Sequence, residues 1–241
     1  MLRTVTATRY VTPLREGGSL PAIVEADDDG LYVCKFRGAG QGPRALAAEI
    51  VTGELARGVG LPVPELVLVE LDAELARAEP DPEIQDLIRA SDGLNLGVDF
   101  LPGALPYSPG APPDPDLAAA VVWLDALVEN VDRTPRNPNL LRWHGRLWLI
   151  DHGASLFVHH GSADPLTVAR RPFPGIRDHV LLGAAGSVLE ADAALAERAD
   201  PGAAAALVPP AWADGAPYAA HLERRLETPR EWVEEAERAR A

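Results

Sequence analysis

Lys35 narrows what this chain can become more than any other residue. It lies in the run Leu31-Tyr32-Val33-Cys34-Lys35-Phe36, whose β-branched and aromatic content reads as a strand. An ammonium inside an apolar strand is costly unless a carboxylate and an anionic ligand satisfy it. Lys35 is also the only lysine: of 22 basic residues, 21 are arginine. An ammonium is a compact point charge on a narrow stem, whereas guanidinium is a broad planar fork, so a lone lysine marks a position where only lysine fits. The alternative is a chance survivor of compositional drift.

The surrounding pattern places that strand in a small β-meander. Thr4 to Thr12 and Pro21 to Ala26 read as strands, with a turn at Arg15-Glu16-Gly17-Gly18-Ser19 and an acidic hairpin turn at Asp27-Asp28-Asp29-Gly30. Ala45 to Arg57 has helical spacing, ended by Gly58, Gly60 and Pro62. Leu66 to Leu71 reads as a strand, Pro82 to Ala90 as a short helix and Leu94 to Leu101 as a strand or extended connection. The proline- and glycine-rich stretch Pro102 to Pro115 reads as a surface loop. From Asp116, an N-cap candidate, the character turns helical, beginning with the apolar run Leu117 to Val128. A hairpin is expected around His144-Gly145, and Ala-rich helix separated by Pro201, Pro209-Pro210 and Pro217 fills the remainder. The fold class is therefore α+β, with a β-rich part over residues 1–101 and a helical part over 102–241 forming one domain with an internal division.

The strongest constellation lies in the helical part. Glu129-Asn130-Val131-Asp132-Arg133-Thr134-Pro135-Arg136-Asn137-Pro138-Asn139 is followed, after the hairpin, by Leu149-Ile150-Asp151-His152-Gly153. Phosphoryl transfer needs little covalent chemistry from a protein. It needs metal ions on the phosphates and a carboxylate that orients the attacking hydroxyl. Asp132 suits the second task, and Asn137 and Asp151 suit the first, because Mg²⁺ prefers hard oxygen donors and takes only a few from protein. An aspartate followed five residues later by an amide, and then by an aspartate after an apolar strand, is the order of a kinase catalytic loop and metal motif. Without Lys35, the same residues read as ordinary turn formers.

These motifs resemble two related groups. Asp-Arg-x-x-x-Asn is similar to the catalytic loop of HipA-like kinases, and Asp-His-Gly to the metal motif of phosphatidylinositol 4-kinases. Val33-Cys34-Lys35-Phe36 resembles their ATP-lysine strand, and Ala48-Glu49-Ile50 through Gly60-Leu61-Pro62-Val63-Pro64 their first helix and its exit. The resemblance implies a two-lobed protein-kinase-like fold, ATP and Mg²⁺ as cofactors, Lys35 on the α- and β-phosphates, and Glu49 holding it. From the residues alone, Glu49 and Glu54 are both available as that carboxylate. It further implies a hinge at Asp99-Phe100-Leu101-Pro102, with Phe100 or Leu101 lining the adenine pocket, although Phe100 also reads as a core aromatic. Gly17, Gly18 and Ser19 read either as a phosphate-approaching loop or as a plain hairpin turn, and Gly38 to Pro43 as a nucleotide cover or a connection. Thr134 departs from the family, standing where many relatives carry His. The chain is shorter than the two-part HipA toxins, so their extra N-terminal domain is not expected, and no Ser-rich regulatory segment stands out.

The expected activity is transfer of the ATP γ-phosphoryl group to a hydroxyl, of a protein Ser or Thr or of a small molecule. A regulator that binds nucleotide without turnover is the reading from another class. A net charge of −14 disfavours general nucleic-acid binding. Cys34, the only cysteine, excludes an internal disulfide and a cysteine zinc site and reads as a small buried residue. With no apolar signal core at the N-terminus and no span long enough for a bilayer, a cytoplasmic protein without membrane partners is expected.

Overall fold

The computed structural model describes residues 1–14, 20–40, 42–161 and 164–240. The glycine turn read at Gly17, Gly18 and Ser19 lies outside the described residues. Two compact units emerge, Met1–Leu46 with Pro64–Pro102, and Ala47–Val63 with Gly103–Ala241. The first is β-rich and the second helical, an α+β chain as the patterning implies.

In chain order the first unit contains β1 (Thr4–Pro13), β2 (Ala22–Ala26), β3 (Leu31–Lys35), the start of α1 (Pro43–Gly58), β4 (Leu66–Leu71), α2 (Pro82–Ala90) and β5 (Gly93–Asp99). The expected antiparallel meander β1-β2-β3 is present. It continues into β5 and β4, and β4 returns parallel to β1 through Thr4↔Leu68, Val5↔Val69 and Thr6↔Glu70, closing a barrel. Strand alternation sends Val5, Ala7, Ala22, Val24, Tyr32, Cys34, Val67 and Val69 into one core, which Ile84 and Ile88 of α2 join. Burial of each larger aliphatic chain there contributes about 1.5–3 kcal/mol. Gly97 lies among them because a Cβ would come within 2.6 Å of Val69 and 2.8 Å of Val67. Asn95 fastens the exit of β3: buried, it accepts from the Arg37 N–H at 2.8 Å and donates to the Ser91 and Gly93 carbonyls at 2.7 and 2.8 Å.

The second unit takes α1 from Ala47 onward and adds β6 (Leu105–Pro106), α3 (Pro115–Leu127), β7 (Leu140–Trp143), β8 (Arg146–Leu149), α4 (Pro165–Val168), α5 (Val188–Leu195), α6 (Pro201–Ala205), α7 (Ala216–Leu226) and α8 (Glu231–Arg240). Strands β6-β7-β8 form a small antiparallel sheet. The turn at His144 and Gly145 has φ of +47° and +75°, as a tight two-residue hairpin demands.

Helix α3 is the axis of this unit, apolar around nearly its whole circumference and packed against α5, α7 and α8. Its cap is Asp114 and not Asp116: the Asp114 carboxylate accepts from the Asp116 N–H at 3.0 Å, and Pro115 sits at the first helical position, where its missing N–H costs nothing. Pro201 and Pro217 likewise start α6 and α7 and do not merely separate them. At the other end of α3, buried Arg225 donates to the Ala126 and Leu127 carbonyls at 2.8 and 2.7 Å, satisfying groups that a helix C-terminus leaves open. Among the described residues no helix is long and apolar enough to cross a membrane.

Candidate functional site

The segment leaving α3 is set by its own amides. Asn130 donates to Asp125 at 3.0 Å and accepts the Asp132 N–H at 3.0 Å. Asp132, half-buried, then receives two side-chain amides on one oxygen, Oδ2: Asn137 Nδ2 at 2.7 Å and Asn139 Nδ2 at 3.2 Å. The loop between closes through Thr134 N–H to the Asp132 carbonyl at 2.9 Å and Asn137 N–H to the Thr134 carbonyl at 3.1 Å. These bonds orient both partners. Asp132 keeps Oδ1 for an acceptor, and Asn137, exposed and with its NH₂ used on Asp132, presents its amide oxygen.

Asp151 is joined to this loop through the backbone. The Ile150 N–H donates to the Asn139 carbonyl at 3.1 Å, and the preceding Leu149 N–H donates to the Pro62 carbonyl at 2.9 Å. Asn139 and Asp151 both adopt left-handed backbone, with φ of +50° and +55°. Asp and Asn are the non-glycine residues that tolerate this conformation best, and such positions concentrate at functional sites. Asp132, Asn137 and Asp151 are therefore gathered within the second unit.

Beneath them lies a buried polar network. The Asp125 carboxylate in α3 receives Arg133 and, at 2.8 Å, His179 Nε2. The Leu181 N–H donates to His179 Nδ1 at 3.1 Å, so the His179 proton sits on Nε2 and points at Asp125. Burial alone would raise the Asp125 carboxyl; the Arg133 charge and the His179 hydrogen bond overcome it and hold the group below the usual carboxylate range. A second buried group follows the same helix end: Glu129 faces His221 Nε2 at 3.0 Å and Arg225 at 3.7 Å. Against its burial, these partners likewise hold the Glu129 carboxyl low.

In the first unit, Lys35 ends β3 opposite Leu96, which is itself opposite Leu68. Half-buried, it extends from the face opposite the barrel core, in line with Val33, whose cross-strand partners are Ile23 and Val98. Phe100 is half-buried and Leu101 buried, and the Phe100 N–H is committed to the Leu31 carbonyl at 2.9 Å, which leaves side chains and other backbone groups for a ligand. On α1, the two carboxylates differ. Glu54 pairs with Arg57 at 3.2 Å, whereas Glu49 is 1% exposed.

Sequence reasoning assigned no role to Asn130, Asn139 or Arg133. The run Asn137-Pro138-Asn139 carried a local signal, a second amide two residues beyond the first. Arg133 stood in the Asp-Arg-x-x-x-Asn resemblance, but its partners, and so its task, lie elsewhere in the chain.

Oxygen donors are what a hard divalent cation takes from a protein. Asn137 and Asp151 supply hard oxygens, and among the described residues no three His, Cys, Asp or Glu side chains form a metal-binding group.

A family model described as HipA-like kinase matches residues 8–162. Among solved structures, the chain is similar to the crystal structure of the Golgi casein kinase with Mn/ADP bound, at 14% identity and TM-score 0.48 over 99% of this chain and 73% of that one. It is also similar to a crystal structure of the Golgi casein kinase, at 15% identity and TM-score 0.47 over 99% and 72%. Among curated proteins, none matches the sequence.

Proposed function

Since the chain belongs to the HipA-like kinase family, we propose that it transfers the γ-phosphoryl group of ATP to the hydroxyl of a protein serine or threonine, with Mg²⁺ as the metal. Bound Mg²⁺ supplies charge neutralisation on the phosphates. Asn137 Oδ1 and the Asp151 carboxylate are the groups that hold it. Asp132 orients the acceptor: its Oδ2 is fixed by two amides, so Oδ1 accepts the hydroxyl proton. Lys35 is assigned to the α- and β-phosphates, where a point charge on a narrow stem suits the task, and the family resemblance assigns Glu49 as its carboxylate. Phe100 and Leu101 are assigned to the adenine.

The observation that carries this reading is the hydrogen-bonded step from Asp132 through Asn139 to Ile150, one residue before Asp151. It unites the two carboxylates that phosphoryl transfer separates into hydroxyl orientation and metal binding. Asp132→Ala and Asp151→Asn are each expected to lower ATP turnover by roughly 10²–10⁴-fold. Only Asp151→Asn should also remove the Mg²⁺-dependent tightening of nucleotide binding. Turnover retained by both variants would reject the assignment. Incubation with γ-labelled ATP and cell extract tests the acceptor: label recovered in small molecules and not in protein would overturn the protein Ser/Thr part.

A further inference from the structure

Arg133 follows Asp132 directly, yet its side chain turns inward and is fully buried. Arginine offers five N–H donors in a rigid fork. Nε donates to Asp125 of α3, Nη1 to the carbonyl oxygens of Asn139 and, at 3.3 Å, Ile150, and Nη2 to His152 Nδ1 at 3.1 Å. The partners belong to the two halves of the proposed centre. Asn139 hydrogen-bonds the Asp132 carboxylate, while Ile150 and His152 flank Asp151 on either side.

We propose that Arg133 is a positioning residue, whose fork sets the separation between the carboxylate that orients the acceptor hydroxyl and the carboxylate that holds the cation. The inference rests on the phosphotransfer reading above and deepens it. One nitrogen, Nη1, donates to both the Asn139 and the Ile150 carbonyl oxygens, so a single rigid group ties the loop after Asp132 to the segment before Asp151. Asp125 neutralises the guanidinium from below, so the clamp adds no net charge to the interior. Arginine can only donate, which makes His152 Nδ1 the acceptor and places the ring proton on Nε2. The histidine of Asp-His-Gly is thereby held in one tautomer and orientation by the residue next to Asp132.

Arg133→Lys tests this. Lysine keeps the positive charge beside Asp125, but its three donors radiate from a single nitrogen and cannot span Asp125, two carbonyls and an imidazole at once. The expected result is a folded protein whose kcat per folded molecule falls by about 100-fold, the cost of roughly an ångström of misplacement. The half-saturating ATP concentration should stay within a few-fold of wild type, and the half-saturating Mg²⁺ concentration for nucleotide stabilisation should rise. A readout independent of turnover is the two-bond ¹H–¹⁵N spectrum of the histidine rings, in which the His152 Nδ1 resonance should move. Should Arg133→Lys fail to fold, the double variant Asp125→Asn with Arg133→Gln removes both buried charges together and is expected to show the same loss of kcat. Wild-type kcat per folded molecule in a folded variant, with an unchanged Mg²⁺ midpoint, would leave Arg133 as a fold residue only and overturn the proposal. Absence of turnover in the wild-type protein would instead reject the phosphotransfer reading itself.

Discussion

Cys34 and Lys35 are neighbours with opposite fates, one sealed in the barrel and the other on the reverse face of the same strand. Burial pushes the Cys34 thiol from its ordinary 9.0 up to about 12. The unfolded thiol ionises first, so its contribution to stability is intact below pH 9.0 and is lost as pH rises from there to about 12. The slope from this one group is at most about 1.4 kcal/mol per pH unit. Urea midpoints measured at several alkaline pH values should fall more steeply for wild type than for Cys34→Ala, and equal slopes would contradict the assignment. Lys35 was legible from sequence because a single lysine in an apolar run is a local anomaly. The Asp132 to Asn137 spacing was legible for the same reason. The task of Arg133 was not, since it comes from carbonyls and a carboxylate that only the fold brings near it.

At the scale of elements, β-branched, aromatic and apolar runs between turn residues were enough to locate β1 to β5 and the hairpin at His144-Gly145. Closure of the barrel was not readable, because the parallel pairing of β1 with β4 joins segments far apart in sequence. Nor was β6 readable, since it lies in a stretch whose prolines and glycines suggest only loop. The start of α3 was misplaced by reading Pro115 as the end of that loop, when an Asp-Pro pair is also how a helix begins. At Gly97 the space that a side chain would take is filled by the methyl groups of Val67 and Val69. Gly97→Ala places a methyl against Val67 and Val69 and is expected to destabilise the barrel by about 1–3 kcal/mol. Thermal unfolding should register that loss, and an unchanged midpoint would mean that the two valines can shift aside.

On the scale of the whole molecule, neither unit is continuous in the chain. The helical unit recruits Ala47–Val63 from within the span of the β-rich one. That segment brings buried Ile50, Val51 and Leu55, and its Pro62 carbonyl accepts the Leu149 N–H at the end of β8. A fragment beginning at Gly103 therefore lacks part of its own core. Expressed alone, it should bind a hydrophobic dye and unfold without a cooperative transition, whereas the full chain should not bind the dye. A cooperative melt from the fragment would show that the segment is dispensable. The same arrangement dictates an order of events during translation. Synthesis runs from the N-terminus, so Ile50, Val51 and Leu55 leave the ribosome well before the Leu149 strand that will sit beside their segment. For that interval the nascent chain carries a largely apolar helix whose partners have not yet been made, and it is then that a chaperone would find the most to hold.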